Sequence, residues 1–288
     1  MKIWRKTATL LAGGMLVMSV LSACAKQNQD NDTVGDQPEV NTKLQGTISI
    51  AGSTSMEKLS NVIAEAFMLK YPNVTVSTEF IGSSAGVEAV NAGTVNIGNA
   101  SRSLKDTEKS AGAVENIVAI DGIAVILDRE NSIRNLTKEQ LIQIYTGQIN
   151  NWSRVGGSDL PIVVVGREAG SGTRGAFEEL LGIQDQGRYA NEINSTGGVM
   201  AKVTSIPGAI GYVSIDIIDE TVVPVSIDGV EPTEENIKAG TYLLSRPFVM
   251  ATKGEISDQS KEVQTLFEFL KSSEGKELIK SVGLITVD

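Results

Sequence analysis

The sequence predicts an α/β fold, and three observations predict it. Strand-like and helix-like segments alternate along the chain, residues 117–127 form an almost unbroken apolar run, and strand passes to helix repeatedly through glycine and hydroxyl residues. The apolar run suits a strand buried on both faces, as in a parallel sheet covered by helices. The globule begins near Gly46, and residues 46–288 exceed a typical single domain, so two lobes are expected.

Residues 46–51 alternate as a strand. Leu59, Val62, Ile63, Ala66 and Phe67 then fall at helical spacing until Tyr71-Pro72 stops the helix. Residues 74–80 form a second strand, 82–86 a turn and 87–91 the start of a helix, with a short strand at 95–98. Thr137 to Tyr145 is a helix opened by a Thr-Lys-Glu-Gln capping box, in which hydroxyl and amide each satisfy an orphan N–H. Residues 161–166 are a buried strand, and Gly170-Ser171-Gly172-Thr173 leads into a helix through Leu181. A strand at 246–252 and helices at 260–270 and 273–281 close the chain.

The first residues read as an export signal. Lys2, Arg5 and Lys6 precede an apolar segment, residues 10–21, that is too short to span a bilayer. It ends in Leu21-Ser22-Ala23-Cys24, which resembles the lipobox of bacterial lipoproteins: residues 1–23 would be removed and Cys24 lipidated, holding the chain to a membrane. The alternative is an ordinary secretory signal with an incidental cysteine. Residues 24–45, rich in Gln, Asn and Asp, read as a flexible tether.

Composition excludes much chemistry. Cys24 is the only cysteine, so the mature globule offers no disulfide and no thiolate. With no histidine, there is no conventional Ser-His-Asp triad and no histidine-ligated zinc or haem, so neither a metal site nor a cofactor is expected. A net charge of −10 argues against nucleic acid as a partner and repels anions at long range, so an anion site here must work by local geometry.

Such geometry is written in three strand-to-helix turns: Gly52-Ser53-Thr54-Ser55, Gly82-Ser83-Ser84-Ala85-Gly86 and Gly170-Ser171-Gly172-Thr173-Arg174. A helix N-terminus exposes unpaired N–H groups and partial positive charge, glycine lets the backbone approach a ligand, and hydroxyls add donors. A fourth turn, Gly98-Asn99-Ala100-Ser101-Arg102, adds a hydroxyl, and Arg167 supplies a planar fork. Any one loop alone is more simply a helix cap. Together they point to an oxyanion.

Gly82-x-Ser84-x-Gly86 matches a nucleophile elbow and Ser55-Met56-Glu57-Lys58 the start of a serine–lysine acyltransferase site. The first has no histidine partner and the second lacks its companion motifs, so a serine hydrolase using Ser55 and Lys58 is the minor alternative and the chain reads as no enzyme. Arg174 opens a helix, where a cation is unfavourable; it either lines a cleft or pairs with an acid such as Glu178. Trp152, Tyr145 and Phe177 read as packing.

Across nearly the whole globule the chain resembles the phosphate-binding receptors of phosphate ABC importers. The likeness runs through Ile50-Ala51-Gly52-Ser53-Thr54-Ser55, Ile81-Gly82-Ser83-Ser84-Ala85-Gly86, Ile97-Gly98-Asn99-Ala100-Ser101-Arg102, Asp121-Gly122-Ile123-Ala124-Val125, Arg167-Glu168-Ala169-Gly170-Ser171-Gly172-Thr173-Arg174 and Gly208-Ala209-Ile210-Gly211-Tyr212. The resemblance implies a two-lobed periplasmic-binding-protein-like fold of type II with two hinge crossovers, near residues 121–127 and 246–250. The lobes would be 46–124 with 248–288, and 125–247. It implies that Thr54, Ser55, Ser83, Arg167, Ser171, Gly172 and Thr173 hold inorganic phosphate, with sulfate or molybdate as alternatives, and that ABC permease subunits are the partner; Ser101 joins the candidate ligand residues from the chemistry of the fourth turn. Longer members place an aspartate in the fourth turn to accept the ligand's proton; Ser101 or Arg102 stands there, with Asp121 and Glu168 as substitutes to consider. They also place an acid that steadies the arginine where this chain has Ala169, so either Glu168 orients Arg167 or the arginine is less tightly held.

Overall fold

The computed structural model describes residues 43–287, all within the compact unit Glu39–Asp288. The expected export signal, the lipidation at Cys24 and the tether as far as residue 42 lie outside the described residues.

In chain order the strands are β1 (Gln45–Gly52), β2 (Asn73–Glu79), β3 (Ile97–Ala100), β4 (Ala113–Val114), β5 (Ile117–Asp128), β6 (Asn135–Leu136), β7 (Val163–Arg167), β8 (Asn191–Ile193), β9 (Ala209–Ser214), β10 (Val222–Ile227), β11 (Ser245–Lys253) and β12 (Ile285–Thr286). The helices are α1 (Glu57–Lys70), α2 (Ser83–Ala92), α3 (Asp106–Ser110), α4 (Lys138–Tyr145), α5 (Gly172–Leu181), α6 (Thr196–Ser205), α7 (Glu234–Lys238), α8 (Lys261–Lys271) and α9 (Ser273–Ser281).

The main path through the strands is β2-β1-β3-β11-β5-β9-β7-β8. β1 runs parallel to β2 and β3, and β7 runs parallel to β8 and β9. β5 joins the two groups. Its first half, through Gly122, pairs with β11 and β12, and its second half, from Ile123, pairs with β9 and β10. All four partners are antiparallel, which corrects the expectation of a parallel strand for this run. The apolar run records burial on both faces, and β5 has that because it is covered by both halves of the molecule; pairing direction leaves no mark on composition.

Two lobes follow from two sets of apolar cores. In the first, Ile48, Phe67 and Ile97 pack with Phe248, Leu266 and Phe269, while Val87, Val90 and Val249 fill the opposite face of the sheet. In the second, Tyr145, Phe177, Tyr212 and Trp152 fill one face and Val199, Val203 and Val213 the other. Each sheet is thus covered by helices on both sides. The terminal helices return to the first core because α8 carries Val263, Leu266, Phe267 and Leu270 along one face, each buried. Burial of each such side chain stabilises by about 1.5–3 kcal/mol.

α2 starts at Ser83, earlier than the expected Val87, since Gly82 at φ 94° lets the chain enter the helix directly and places the serines in its first turn. Close approach seats that helix on the strands. A Cβ on Gly86 would lie 2.4 Å from the Ala51 carbonyl oxygen, and one on Gly98 would lie 2.6 Å from that of Gly86. β3 lies two residues downstream of the expected 95–98. The span from Asn191 to Lys238, left without elements in the sequence reading, holds β8, α6, β9, β10 and α7.

Candidate functional site

The turns leaving β1, β2, β3, β7 and β8 meet where the lobes face each other, at the carboxyl ends of the strands, the usual place for a ligand in open α/β sheets. In the first lobe, the Ser53 side chain accepts the Ser55 N–H at 3.2 Å and caps the 3-10 turn Thr54–Met56. That turns the hydroxyls of Thr54 and Ser55 inward, and both residues are buried. Ser83 opens α2; its Oγ accepts the Ser101 N–H at 3.2 Å and lies 3.4 Å from Ser101 Oγ. Ser101 therefore joins the cluster. Arg102 does not: it grips Glu108 with bonds of 2.6 and 2.8 Å and donates to Ser84 Oγ.

In the second lobe, Ser171 caps α5 by accepting the Arg174 N–H at 3.3 Å, so its hydroxyl sets the helix end while Gly172 and Thr173 form the first turn. Arg167 ends β7, only 2% exposed. Its backbone N–H donates to the Tyr212 hydroxyl, and that ring is stacked on Phe177 at 4.1 Å, so the second core holds the arginine at its base. Burial pushes the Tyr212 hydroxyl up to about 12, which keeps it protonated. The guanidinium donates to Thr54 Oγ1 at 3.0 Å and to Thr196 Oγ1 at 3.1 Å. Glu168 takes Nε at 3.2 Å and Nη2 at 3.1 Å and so orients Arg167 from the adjacent position, Ala169 being unable to.

Thr196, the first residue of α6, was missed in the sequence reading. It is 2% exposed, and its Oγ1 lies 3.0 Å from Thr54 Oγ1 and 2.9 Å from Ser55 Oγ. The signal existed: Asn194-Ser195-Thr196-Gly197-Gly198 repeats the glycine and hydroxyl chemistry of the other turns after a three-residue strand too short to show periodicity. Ser55 Oγ also meets Thr173 Oγ1 at 2.8 Å, and the Ser84 N–H donates to the Gly170 carbonyl. Most of these bonds cross from one lobe to the other.

Neither proposed substitute acid offers an uncommitted carboxylate. Asp121 accepts from Ser214 Oγ at 2.7 Å and from Arg246 Nε at 2.8 Å. Burial pushes Asp121 up and Arg246 down, against the attraction each exerts on the other. Glu168 is held by Arg167. Arg174 takes the pairing alternative, bonded to Glu178 at 2.9 Å and lying over the Tyr189 ring; it also borders a cavity of about 470 Å³ at the rim of the cleft, opposite Arg102. Another cavity, about 420 Å³ between Asn116, Phe267 and Lys276, lies in the first lobe away from the hydroxyls. The serine–lysine alternative fails on geometry, since Lys58 Nζ donates to the Asp216 carbonyl while Ser55 is bonded to Thr173 and Thr196.

The arrangement is a buried shell of hydroxyls with one guanidinium and the N-termini of α2, α5 and α6, suited to solvating an anion and without a nucleophile–base pair. Gly172 lies at the seam. A Cβ there would stand 2.2 Å from Ser83 Oγ and 2.7 Å from Ser101 Oγ, both on the other lobe. Gly172→Ala is therefore expected to block closure and weaken anion binding at least tenfold while the melting temperature without anion stays within about 2 °C of wild type; calorimetry beside thermal melts checks it.

A family model described as the PBP superfamily domain matches residues 37–274. The chain is 31% identical to the phosphate-binding protein PstS of Bacillus subtilis over 276 residues, covering 94% of this chain and 90% of that protein. It is 27% identical to PstS of Borreliella burgdorferi over 285 residues, 95% and 96% of the two. A Clostridium perfringens structure with bound phosphate, described as a phosphate ABC transporter substrate-binding protein, superposes with a TM-score of 0.81 at 40% identity, over 84% of this chain and all (100%) of that one. An ABC-type phosphate transport receptor from Vibrio cholerae gives a TM-score of 0.71 at 35% identity, again over 84% and 100%. With the anion-directed turns in place and these matches spanning the globule, the chain belongs to the PBP superfamily and, within it, to the family of the phosphate-binding proteins PstS.

Proposed function

We propose that this chain captures inorganic phosphate between its lobes and delivers it to an ABC permease, working outside the cytoplasm as a lipoprotein held to the membrane through Cys24. One observation carries the reading: Arg167 and the hydroxyls of Thr54, Ser55, Thr173 and Thr196 form a continuous buried network bridging the two lobes at helix N-termini. Thr54, Ser55, Ser83, Ser101, Thr173 and Thr196 donate hydroxyl protons, Arg167 donates N–H groups, and Gly172 and Thr173 present the orphan N–H groups of α5, whose position Ser171 fixes. Hydrogen bonds to a charged group contribute about 1.5–3 kcal/mol each, so a few beyond the cost of dehydrating the anion reach micromolar affinity, about 8 kcal/mol.

The lobes in this proposal are residues 46–124 with 248–288, and 125–247, hinged on β5 and β11. The division of the apolar cores supports two such lobes, with the partner change on β5 between Gly122 and Ile123 falling two residues before that boundary. The anion draws the lobes together by bonding to both, and no covalent step is involved. Among the described residues no helix is long and apolar enough to cross a membrane.

Calorimetry against phosphate, sulfate and molybdate tests the function. A single phosphate site, bound more tightly than either other anion, is expected; no heat and no thermal stabilisation with phosphate would remove the reading. Thr173→Val, which keeps shape but loses the hydroxyl, is expected to weaken phosphate binding about tenfold, the equivalent of one lost bond.

A further inference from the structure

Asp216 is a buried carboxylate outside the hydroxyl cluster. It sits in the 3-10 turn Ile215–Ile217 that leaves β9, is 8% exposed, and has both carboxylate oxygens buried without a hydrogen-bond partner. The groups facing it are Asp121 on β5, Arg246 on β11, Lys58 on α1 and Ser214 on β9. Most of their donors are engaged elsewhere, and the one left without a hydrogen bond, Arg246 Nη2, lies 2.7 Å from Asp121 Oδ2 as an ion pair. The single hydroxyl proton of Ser214 goes to Asp121 Oδ1, Arg246 directs Nε at Asp121 and Nη1 at the Ser101 carbonyl, and Lys58 Nζ donates to the backbone carbonyl of Asp216 at 2.8 Å. That last bond crosses the cleft, since α1 belongs to the first core and β9 to the second.

We propose that Asp216 is a proton-binding site linked to anion capture: the chain takes up a proton on this carboxyl as its lobes close and gives it up as they open. The inference rests on the phosphate reading above and names a regulation of that same site. A carboxyl without donors beside a second carboxylate is costly as an anion and cheap as an acid. Burial first, then Asp121, raises Asp216 from 3.8 to about 6 in this closed arrangement, against the nearby Ser214 hydroxyl and the pull of Lys58 and Arg246. Opening admits water to the seam, and because burial is the largest cause of the rise, hydration outweighs the loss of Lys58's downward pull and returns the carboxyl toward its ordinary range. The closed form then binds the proton more tightly than the open form. Closure is therefore favoured as pH falls through about 6, and above about 7, where both forms are ionised, the closed form carries the full cost. Acidic surroundings tighten capture and neutral ones promote release.

Calorimetric titration with inorganic phosphate of the wild type and of Asp216→Asn, at pH 5.5 and pH 8 and in two buffers of different ionisation enthalpy, tests this. The protonation of phosphate itself is common to both chains and cancels. At pH 5.5 the wild type is expected to take up about 0.7 proton more than the variant, and at pH 8 the counts are expected to agree. At pH 8 the variant is expected to bind phosphate about tenfold more tightly, with about 100-fold as the ceiling set by the shift. Heat of binding with equal proton counts at pH 5.5, or equal affinities at pH 8, overturns the proposal alone; no heat in the wild type at either pH overturns the phosphate reading and this one with it. Should the variant fail to fold, carboxyl carbon-13 NMR of phosphate-loaded wild type decides: an Asp216 midpoint near 6 supports the coupling, and one in the ordinary aspartate range overturns it.

Discussion

Arg167→Ala is expected to lose phosphate affinity by at least about 100-fold while its unliganded fold survives. The side chain is 2% exposed and reaches Thr54 on the first lobe and Thr196 on the second, so one residue supplies both the charge and the bridge. Two charge-assisted bonds at about 1.5–3 kcal/mol each amount to roughly 3–6 kcal/mol, or a factor of about 10² to 10⁴. The fold is spared because Glu168 is partly exposed, with 32% of its side chain accessible, and can be hydrated once its partner is gone. Arg167→Lys keeps the charge but not the planar fork and is expected to fall between the two. Calorimetry with thermal melts provides the check, and wild-type affinity in Arg167→Ala would take the β7–α5 turn out of the site.

Arg246→Met is expected to lower folding stability by about 3–5 kcal/mol, the usual consequence of leaving a buried charge without its partner. Asp121 has 0% exposure, and Ser214 would be its remaining side-chain donor. The loss carries a definite pH dependence. Asp121 is already pushed upward by burial, and without Arg246 it rises further, so the folded variant holds a proton that the unfolded chain releases. A carboxyl raised in the folded state costs stability above its unfolded value and recovers it as pH falls, so the deficit is expected to shrink between pH 7 and pH 5. Asp121→Asn combined with Arg246→Met should regain much of the loss. Urea midpoints at the two pH values measure all three chains, and a wild-type midpoint for Arg246→Met at pH 7 would show that the pair does not secure the hinge.

Much of the candidate site was legible because its chemistry is local. A capped turn of glycine and hydroxyls announces a helix N-terminus whatever the rest of the chain does, so Thr54, Ser55, Ser83, Ser101 and Thr173 could be picked out where they stand. Thr196 carried the same signal and was passed over because β8, at three residues, is too short for periodicity to reveal. Arg102 and Arg174 shared turns with these donors, yet each is drawn off by an acid, Glu108 and Glu178. No local rule decides between a ligand and an ion pair for an arginine at a helix start, since both outcomes use the same residue in the same turn.

By itself the sequence determined what chemistry is available: no imidazole, no thiol in the globule, an acidic surface, and helix ends furnished with hydroxyl donors. Those are properties of composition and of neighbours within a turn or two. Only the tertiary structure decided that Thr54 meets Thr196 from 142 residues away, that β5 is shared between two antiparallel groups, and that Asp121 receives donors while Asp216 receives none. The physical reason is that capping and periodicity act within one element. Convergence on an anion, and the fate of a buried charge, depend on which groups the packing of two lobes brings within about 3 Å.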